Sequence, residues 1–269
     1  MDKKTLPISQ THSMRIWTHE GDFHEERPVS SEVPVVFEYN CVTFAVMMAT
    51  PADLTDYAYG FSYTEGIIQK PDDIIYSQIK IVPKGTVAAL EITAKAFHRL
   101  ETYNRTLAGR TGCGLCGVER LDQAIRPLKK VTSELKVQAE LIHASMEDIK
   151  SVQKLNSETG ALHAAAFVNG QGKIIALRED IGRHNALDKL IGHLLREKID
   201  ASAGYVLITS RCSFEMVQKC AIAGIPLIAA VSATTDLAIK LADEASITLI
   251  AFTRKEGLNI VIDPEQRVI

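Results

Sequence analysis

The sequence is short of cysteine, of net charge, of long apolar runs and of repeats, and each shortage removes a class of protein. Five cysteines, at 41, 113, 116, 212 and 220 of 269 residues, are too few and too odd in number for a secreted disulfide framework. A net charge of −3 lacks the basic surplus of a general nucleic-acid binder. The longest apolar stretch, residues 221–233, is too short to span a bilayer and contains Pro226. Met1 to Pro7 has no apolar run and does not read as a signal peptide. A cytoplasmic protein is expected, with no membrane insertion and no nucleic-acid partner.

What is present is ordinary for a soluble globular chain: 46% hydrophobic and 23% charged residues. The length suits one large α/β domain or two smaller ones. Residues 1–33 are polar and read as a solvated lead-in. Val35-Val36-Phe37 and Phe44 to Met48 flank Tyr39-Asn40-Cys41 as a hairpin. Thr50-Pro51-Ala52-Asp53 predicts a helix start, with Thr50 as cap, Pro51 at the first helical position and Asp53 as the capping-box acid. Leu54, Tyr57, Ala58 and Phe61 then give one buried face, on a helix running to about Ile68.

Strands are predicted around Pro83-Lys84-Gly85, followed by a helix or irregular stretch to Arg105. From about Glu147 the pattern alternates. A helix to Asn156 precedes strands 162–168 and 173–177, with a helix over 184–196. Strand 205–209, helix 213–223, strand 227–231, helix 235–245 and strand 248–252 follow. Such alternation indicates an α/β domain with helices on both faces of a sheet. The apolar pattern breaks near Lys129-Lys130 and Ser133-Glu134. Two domains are therefore expected, residues 1–135 as a smaller α+β unit and 136–269 as the α/β domain.

Between Gly109 and Gly117 the chain reads Gly-Arg-Thr-Gly-Cys-Gly-Leu-Cys-Gly, too rich in glycine for a helix or strand interior. Cys113 and Cys116 admit four readings. As buried structural thiols they would sit in a loop that packs poorly. As half of a zinc site they lack a second ligand pair, so no resident metal and no zinc are expected. As a thioredoxin-like dithiol they lack the strand-to-helix placement that lowers a thiol pKa. Persulfide chemistry suits the residues best. Glycines supply mobility, Arg105, Arg110 and Arg120 favour the thiolate, and a second thiol can attack the inner sulfur of a persulfide.

Among other residues, His163 reads as a hydrogen-bonded histidine at a strand end rather than a ligand. Gly182-Arg183-His184 opens a helix whose free N–H groups suit an anion, with plain capping by Asp180 and a solvated Arg183 as the equal alternative. Arg110, Arg178, Arg211 and Arg254 stand beside strand or loop ends and can converge on the rim where α/β sheets hold ligands. Cys41, Cys212 and Cys220 read as small packing residues.

The cysteine loop resembles that of the FdhD family, the formate dehydrogenase accessory sulfurtransferases, and it does not stand alone. Met48-Ala49-Thr50-Pro51, Gly60-Phe61 and Thr64-Glu65-Gly66-Ile67-Ile68 match an early block of that family. Residues 159–166, 178–189 and 213–219 match three later ones. Together the blocks cover most of the chain from about Tyr39 to Ile260, in order.

The resemblance implies a cytidine-deaminase-like three-layer α/β/α domain with a smaller N-terminal α+β domain that carries the Cys-x-x-Cys loop. It implies a sulfurtransferase that carries persulfide sulfur from a cysteine desulfurase to the molybdenum bis(molybdopterin guanine dinucleotide) cofactor of formate dehydrogenase. A homodimer is also expected. Catalytic roles carry over to Cys113, as persulfide site, and Cys116. Cofactor binding maps to Phe252, Thr253, Arg254, Lys255, Glu256 and Gly257, with Arg183 and His184 at the helix start, and a GDP-like nucleotide is expected to mimic the cofactor. Glu256 and Gly257 depart from the family's pattern, which has a glycine and a second arginine there, so one phosphate donor is missing. Deaminase chemistry itself is not expected: His163-Ala164-Ala165 lacks the glutamate and Ser213-Phe214-Glu215-Met216 the cysteines of a zinc deaminase. The rival reading is a cofactor chaperone that inserts the cofactor without moving sulfur.

Overall fold

The computed structural model describes residues 6–105 and 127–269. Among these residues the chain builds three sheets. The first is a solvent-facing ribbon of β1 (Ser9–Thr18) and β2 (Gly21–Ser30), paired antiparallel. The polar lead-in is therefore exposed, as its composition requires, but it is a hairpin rather than unstructured chain. Its turn closes through Gly21, at φ 134°, with the Thr18 hydroxyl donating to the Gly21 carbonyl.

The second sheet has four strands in the order β4-β3-β6-β5: β3 (Val33–Tyr39), β4 (Val42–Ala49), β5 (Ile74–Val82) and β6 (Gly85–Ile92). The predicted hairpin turns at Asn40 and Cys41, both left-handed at φ 48° and 67°. Cys41 is exposed there, not packed as its residue type suggested. Val35, Phe37 and Tyr39 alternate onto the face covered by α1 (Leu54–Thr64) and α2 (Ala94–Arg105).

Helix α1 is shorter than predicted at both ends. Thr50 does not cap it. Its hydroxyl accepts from the Ile181 N–H at 3.1 Å, and Asp53, left-handed at φ 53°, precedes the first turn without a side-chain cap. At the other end Gly66 turns left-handed, and the Ile67 and Ile68 N–H groups fold back onto the Ser62 carbonyl. Ile67 and Ile68 thus enter the core from a turn.

The third sheet runs β12-β11-β10-β9-β7-β8: β7 (His163–Asn169), β8 (Ile174–Asp180), β9 (Gly204–Ile208), β10 (Leu227–Ala230), β11 (Thr248–Arg254) and β12 (Gly257–Ile262). Strands β9, β10 and β11 are parallel, while β7, β8 and β12 run antiparallel to their neighbours. On one face α5 (Arg183–Arg196), α6 (Phe214–Ala223) and α7 (Asp236–Glu244) cover Ala165, Phe167, Val206, Ile208 and Ile228. On the other, α3 (Ala139–Val152) covers Ala164, Ala166, Val168, Leu207 and Ala229. Burial on both faces explains why these strands read as unbroken apolar runs.

The helix predicted over 147–156 is in fact α3 followed by α4 (Lys154–Thr159). The break falls at Gln153, at ψ 80°, and the buried Glu179 carboxylate accepts from the Leu155 and Asn156 N–H groups of α4. Val131 packs with the six-stranded sheet's core and donates to the Ala245 carbonyl.

The two larger sheets meet where α1 crosses α5. A Cβ on Gly60 would sit 1.7 Å from the Asp188 carbonyl oxygen, and one on Gly192 would sit 1.8 Å from the Asp56 carbonyl oxygen. Neither obstacle is a movable side chain; both are helix backbone. In an ordinary helix interior, glycine to alanine gains up to about 1 kcal/mol. Here the sign reverses. Gly60→Ala and Gly192→Ala are each expected to lower unfolding stability by about 3 kcal/mol, the upper end of overpacking costs, or to prevent folding. Urea denaturation checks this, and a neutral or stabilised variant would show that the helices can part without loss.

Candidate functional site

The parallel strands deliver their ends to one edge of the six-stranded sheet. Because β7 is antiparallel to β9, its first residue, His163, stands at that edge, and register places it opposite Asp180, the last residue of β8. The loops after β8, β9, β10 and β11 therefore gather there, the usual ligand edge of an α/β sheet. Arg183 and His184 arrive through α5, Ser213 and Glu215 through α6, and Phe252 to Gly257 through the turn between β11 and β12.

The α5 side of the edge gathers the starts of two helices. Among the described residues, Gly182 leaves α5 without a side-chain cap, and Ser213 precedes α6 with its hydroxyl buried and unpaired. The Arg183 Nε is likewise buried without a partner among the described residues. His184 Nε2 lies 2.9 Å from a Glu215 oxygen, tying the two helix starts together. Burial pushes the Glu215 carboxyl up, but His184, Lys219 and Arg183 together outweigh it and leave it below the usual range. His163 stands half-buried at the start of β7. Burial, and then Arg183, hold its pKa down and favour the neutral ring.

The turn at 252–257 is strained. Phe252, a bulky aromatic at φ 51°, sits in a β-bulge between Ala251 and Arg254 with 42% of its surface exposed. The Arg254 guanidinium lies over its ring at 5.4 Å. Arg254 is not a wholly free cation as its position suggested, since its Nε donates to the Val231 carbonyl at 2.9 Å. The Arg254 carbonyl lies 2.6 Å from His143 Nε2 on α3. Thr253 is fully buried, its hydroxyl unpaired among the described residues. Lys255 and Glu256 are exposed, and Gly257 sits at φ 139°.

The two groups share an edge without touching. The strands β8 and β11 that introduce them stand four positions apart, about 19 Å at ordinary strand spacing, and no hydrogen bond joins them among the described residues. Cys113 and Cys116 lie outside those residues, as does Arg110. Cys212 and Cys220 are buried thiols, with burial pushing Cys212 up to about 12. Cys212 precedes α6. No group of three or more His, Cys, Asp or Glu suited to a metal occurs among the described residues, and no described helix is long and apolar enough to cross a membrane.

Arg178 is not at this edge. Its Nε and Nη2 donate to Asp56 at 2.8 and 2.7 Å, and Nη2 also reaches His193 Nδ1, between α1 and α5. It belongs to a set of buried polar residues that sequence reasoning did not find. Asp180 and Lys189, both fully buried, pair at 2.6 Å. Thr50 donates its N–H to Asp180, and its carbonyl accepts from Lys189. Asp180 also accepts from the Gly182 N–H and from Asn185, which in turn receives the Tyr57 hydroxyl. Nearby, Asp188 accepts from Thr64 and from Lys219. A clue existed in Asp180, Asp188 and Lys189 lying in and beside an otherwise apolar helical stripe.

This is an α/β protein of two larger sheets and an exposed hairpin, with the starts of α5 and α6 at one edge of the six-stranded sheet. The same fold occurs in the crystal structure of a candidate formate dehydrogenase accessory protein from Desulfotalea psychrophila, at a TM-score of 0.76 and 24% identity over 98% of this chain and 100% of that one. Residues 30–268 match the FdhD/NarQ family model, and the chain belongs to that family. It is 48% identical to the sulfur carrier protein FdhD of Bordetella petrii over 240 residues, 88% of this chain and 86% of the relative. To the sulfur carrier protein FdhD of Cupriavidus necator it is 45% identical over 262 residues, 97% and 91% of the two chains.

Removing one partner of the Asp180–Lys189 pair leaves the other charge buried and uncompensated. Lys189→Met is therefore expected to cost about 3–5 kcal/mol in urea unfolding, and Asp180→Asn combined with Lys189→Met less than the two single losses added. Unchanged midpoints for Lys189→Met would mean that the pair does not hold the two sheets together.

Proposed function

We propose that this chain is a sulfur carrier in formate dehydrogenase maturation. Cys113 takes the terminal sulfur of a cysteine desulfurase persulfide, and the desulfurase thiolate is the leaving group. The acceptor is molybdenum bis(molybdopterin guanine dinucleotide), here the substrate. Release needs two electrons. Cys116 supplies them by attacking the inner sulfur of the Cys113 persulfide, which frees hydrosulfide and closes a Cys113–Cys116 disulfide for a cellular thiol reductant to reopen. The observation that carries this reading is the 48% identity, across most of both chains, to a protein named as a sulfur carrier.

The nucleotide half of the substrate is assigned to the edge at Phe252–Gly257, with the α5 start as its phosphate end. A strained, exposed aromatic ring beside a guanidinium suits a purine base. Unpaired donors at Arg183 and Ser213 suit phosphate oxygens. The layering of helices on both faces of the six-stranded sheet is compatible with a deaminase-like scaffold put to binding rather than hydrolysis.

Two experiments test the halves separately. By calorimetry GDP is expected to bind more tightly than ADP, and Arg254→Ala to weaken GDP roughly ten- to a hundredfold, the worth of one charge-assisted contact of about 1.5–3 kcal/mol. Equal affinities for the two nucleotides, or an unaffected variant, would move the site elsewhere. For sulfur, incubation with a cysteine desulfurase and cysteine is expected to add one sulfur mass at Cys113. Cys113→Ala is expected to abolish formate dehydrogenase maturation, while Cys116→Ala impairs it less. Maturation supported by Cys113→Ala in a strain lacking the native protein would leave only cofactor chaperoning.

A further inference from the structure

Asn185 is buried in the first turn of α5 with both polar atoms of its amide engaged. Its Nδ2 donates to the Asp180 carboxylate and to the Met48 carbonyl, each at 2.9 Å. Neither of those oxygens can donate, so the amide nitrogen belongs on that side and Oδ1 faces α1. There the Tyr57 hydroxyl donates to it at 2.7 Å. Burial, then Asp188 and Asp180, hold the pKa of the Tyr57 phenol well above its usual value, so the donated proton stays in place. Tyr57 lies on α1 and Met48 on β4, whereas Asp180 ends β8. One amide therefore joins two elements on the side of the four-stranded sheet to the ligand edge of the six-stranded one.

The same amide decides which residue can open α5. The Asp180 oxygen that accepts from Asn185 also accepts from the Gly182 N–H at 2.8 Å. A Cβ at Gly182 would lie 2.9 Å from Asn185 Nδ2 and 3.2 Å from its Cγ. The Asn185 side chain, held by three hydrogen bonds, has no room to give way. A serine, threonine or aspartate cap is thereby disfavoured at this position. The N–H groups of Arg183, His184 and Asn185 are left without a capping side chain among the described residues. On its other oxygen Asp180 accepts from the Thr50 N–H and pairs with the fully buried Lys189, which offsets its charge.

We propose, on the reading of the α5 start as the phosphate end, that the Asn185 side chain and the Tyr57 hydroxyl are positioning groups for that end. Together they hold the first turn of α5 in the form whose uncapped N–H groups converge on a phosphate, and they make binding there depend on how α1 and β4 are seated. Neither side-chain group touches the ligand. Tyr57 acts on Asn185, Asn185 on Asp180, and Asp180 on the Gly182 N–H. Coupling of this kind is reciprocal. A phosphate held at the α5 start therefore tightens the contact of α5 with α1, and the ligand edge and the four-stranded sheet respond together.

The test uses the full chain, with inorganic pyrophosphate and GDP as calorimetric probes, at a temperature where circular dichroism shows each variant folded. Tyr57→Phe removes one hydroxyl and keeps the ring. It is expected to weaken both probes roughly tenfold, inside the ordinary range of coupling between sites. Asn185→Ala is expected to weaken them at least as much, and the double variant no further, because Tyr57 acts only through Asn185. A merely structural pair would lower Tm and leave the affinities of the folded variants unchanged, which overturns the proposal. Additive losses of affinity in the double variant overturn it as well. Gly182→Ala, at a partly exposed position, serves if Asn185→Ala does not fold, and is expected to show the same loss. A native protein that binds neither probe removes the phosphate end itself, and the positioning role with it. Native binding left unchanged by Tyr57→Phe removes the positioning role alone.

Discussion

The close crossing of α1 and α5 is the constraint on which the rest of the molecule rests. Helices usually pack with axes 8–10 Å apart. Gly60 and Gly192 let the two backbones come close enough that a methyl group on either would overlap a carbonyl of the other helix. That proximity brings Thr50 against Asp180 and Lys189, and Thr64 against Asp188 and Lys219. Buried ions of this kind add little net stability compared with apolar replacements. Their geometric effect is to define how the four-stranded and six-stranded sheets are oriented, since each charge is satisfied in one arrangement.

The same network reaches the candidate site. Asp180 ends β8, and its two oxygens serve two ends of the problem. One accepts from Thr50 and pairs with Lys189, while the other accepts from Gly182 and Asn185 at the start of α5. The position of Arg183 and His184 is thus coupled through a single carboxylate to the chain leading into α1. At the far side of the edge, strain takes the place of charge. Phe252 keeps a left-handed backbone and an exposed ring because β11 bulges and Arg254 is anchored to Val231. Strain of this type persists only where the surroundings over-determine it.

Much of the architecture was legible in the residues. The strands of the six-stranded sheet announce themselves as short apolar runs, and the stripe Leu187, Leu190, Ile191 and Leu194 announces α5, because burial on a fixed face imposes a period. The Asn40–Cys41 turn followed from residues flanked by alternating strands. Where local rules failed, a distant partner had overruled them. Thr50 has the chemistry of a helix cap, but the Ile181 N–H, 131 positions away, takes its hydroxyl. Arg178 has the position of a rim arginine, but Asp56 draws it between the helices. Gln153 breaks a helix that the pattern continues, and the buried Glu179 secures the restart.

By itself the sequence determined the class of fold, the order of most elements between β3 and β11 and the family motifs, because all three are written in local periodicity and in short runs of residue types. Tertiary structure alone decided which polar residues became buried partners and which reached the ligand edge. The reason is physical: a side chain's period names the face it lies on, whereas its hydrogen bonds depend on which backbone, far along the chain, that face is pressed against.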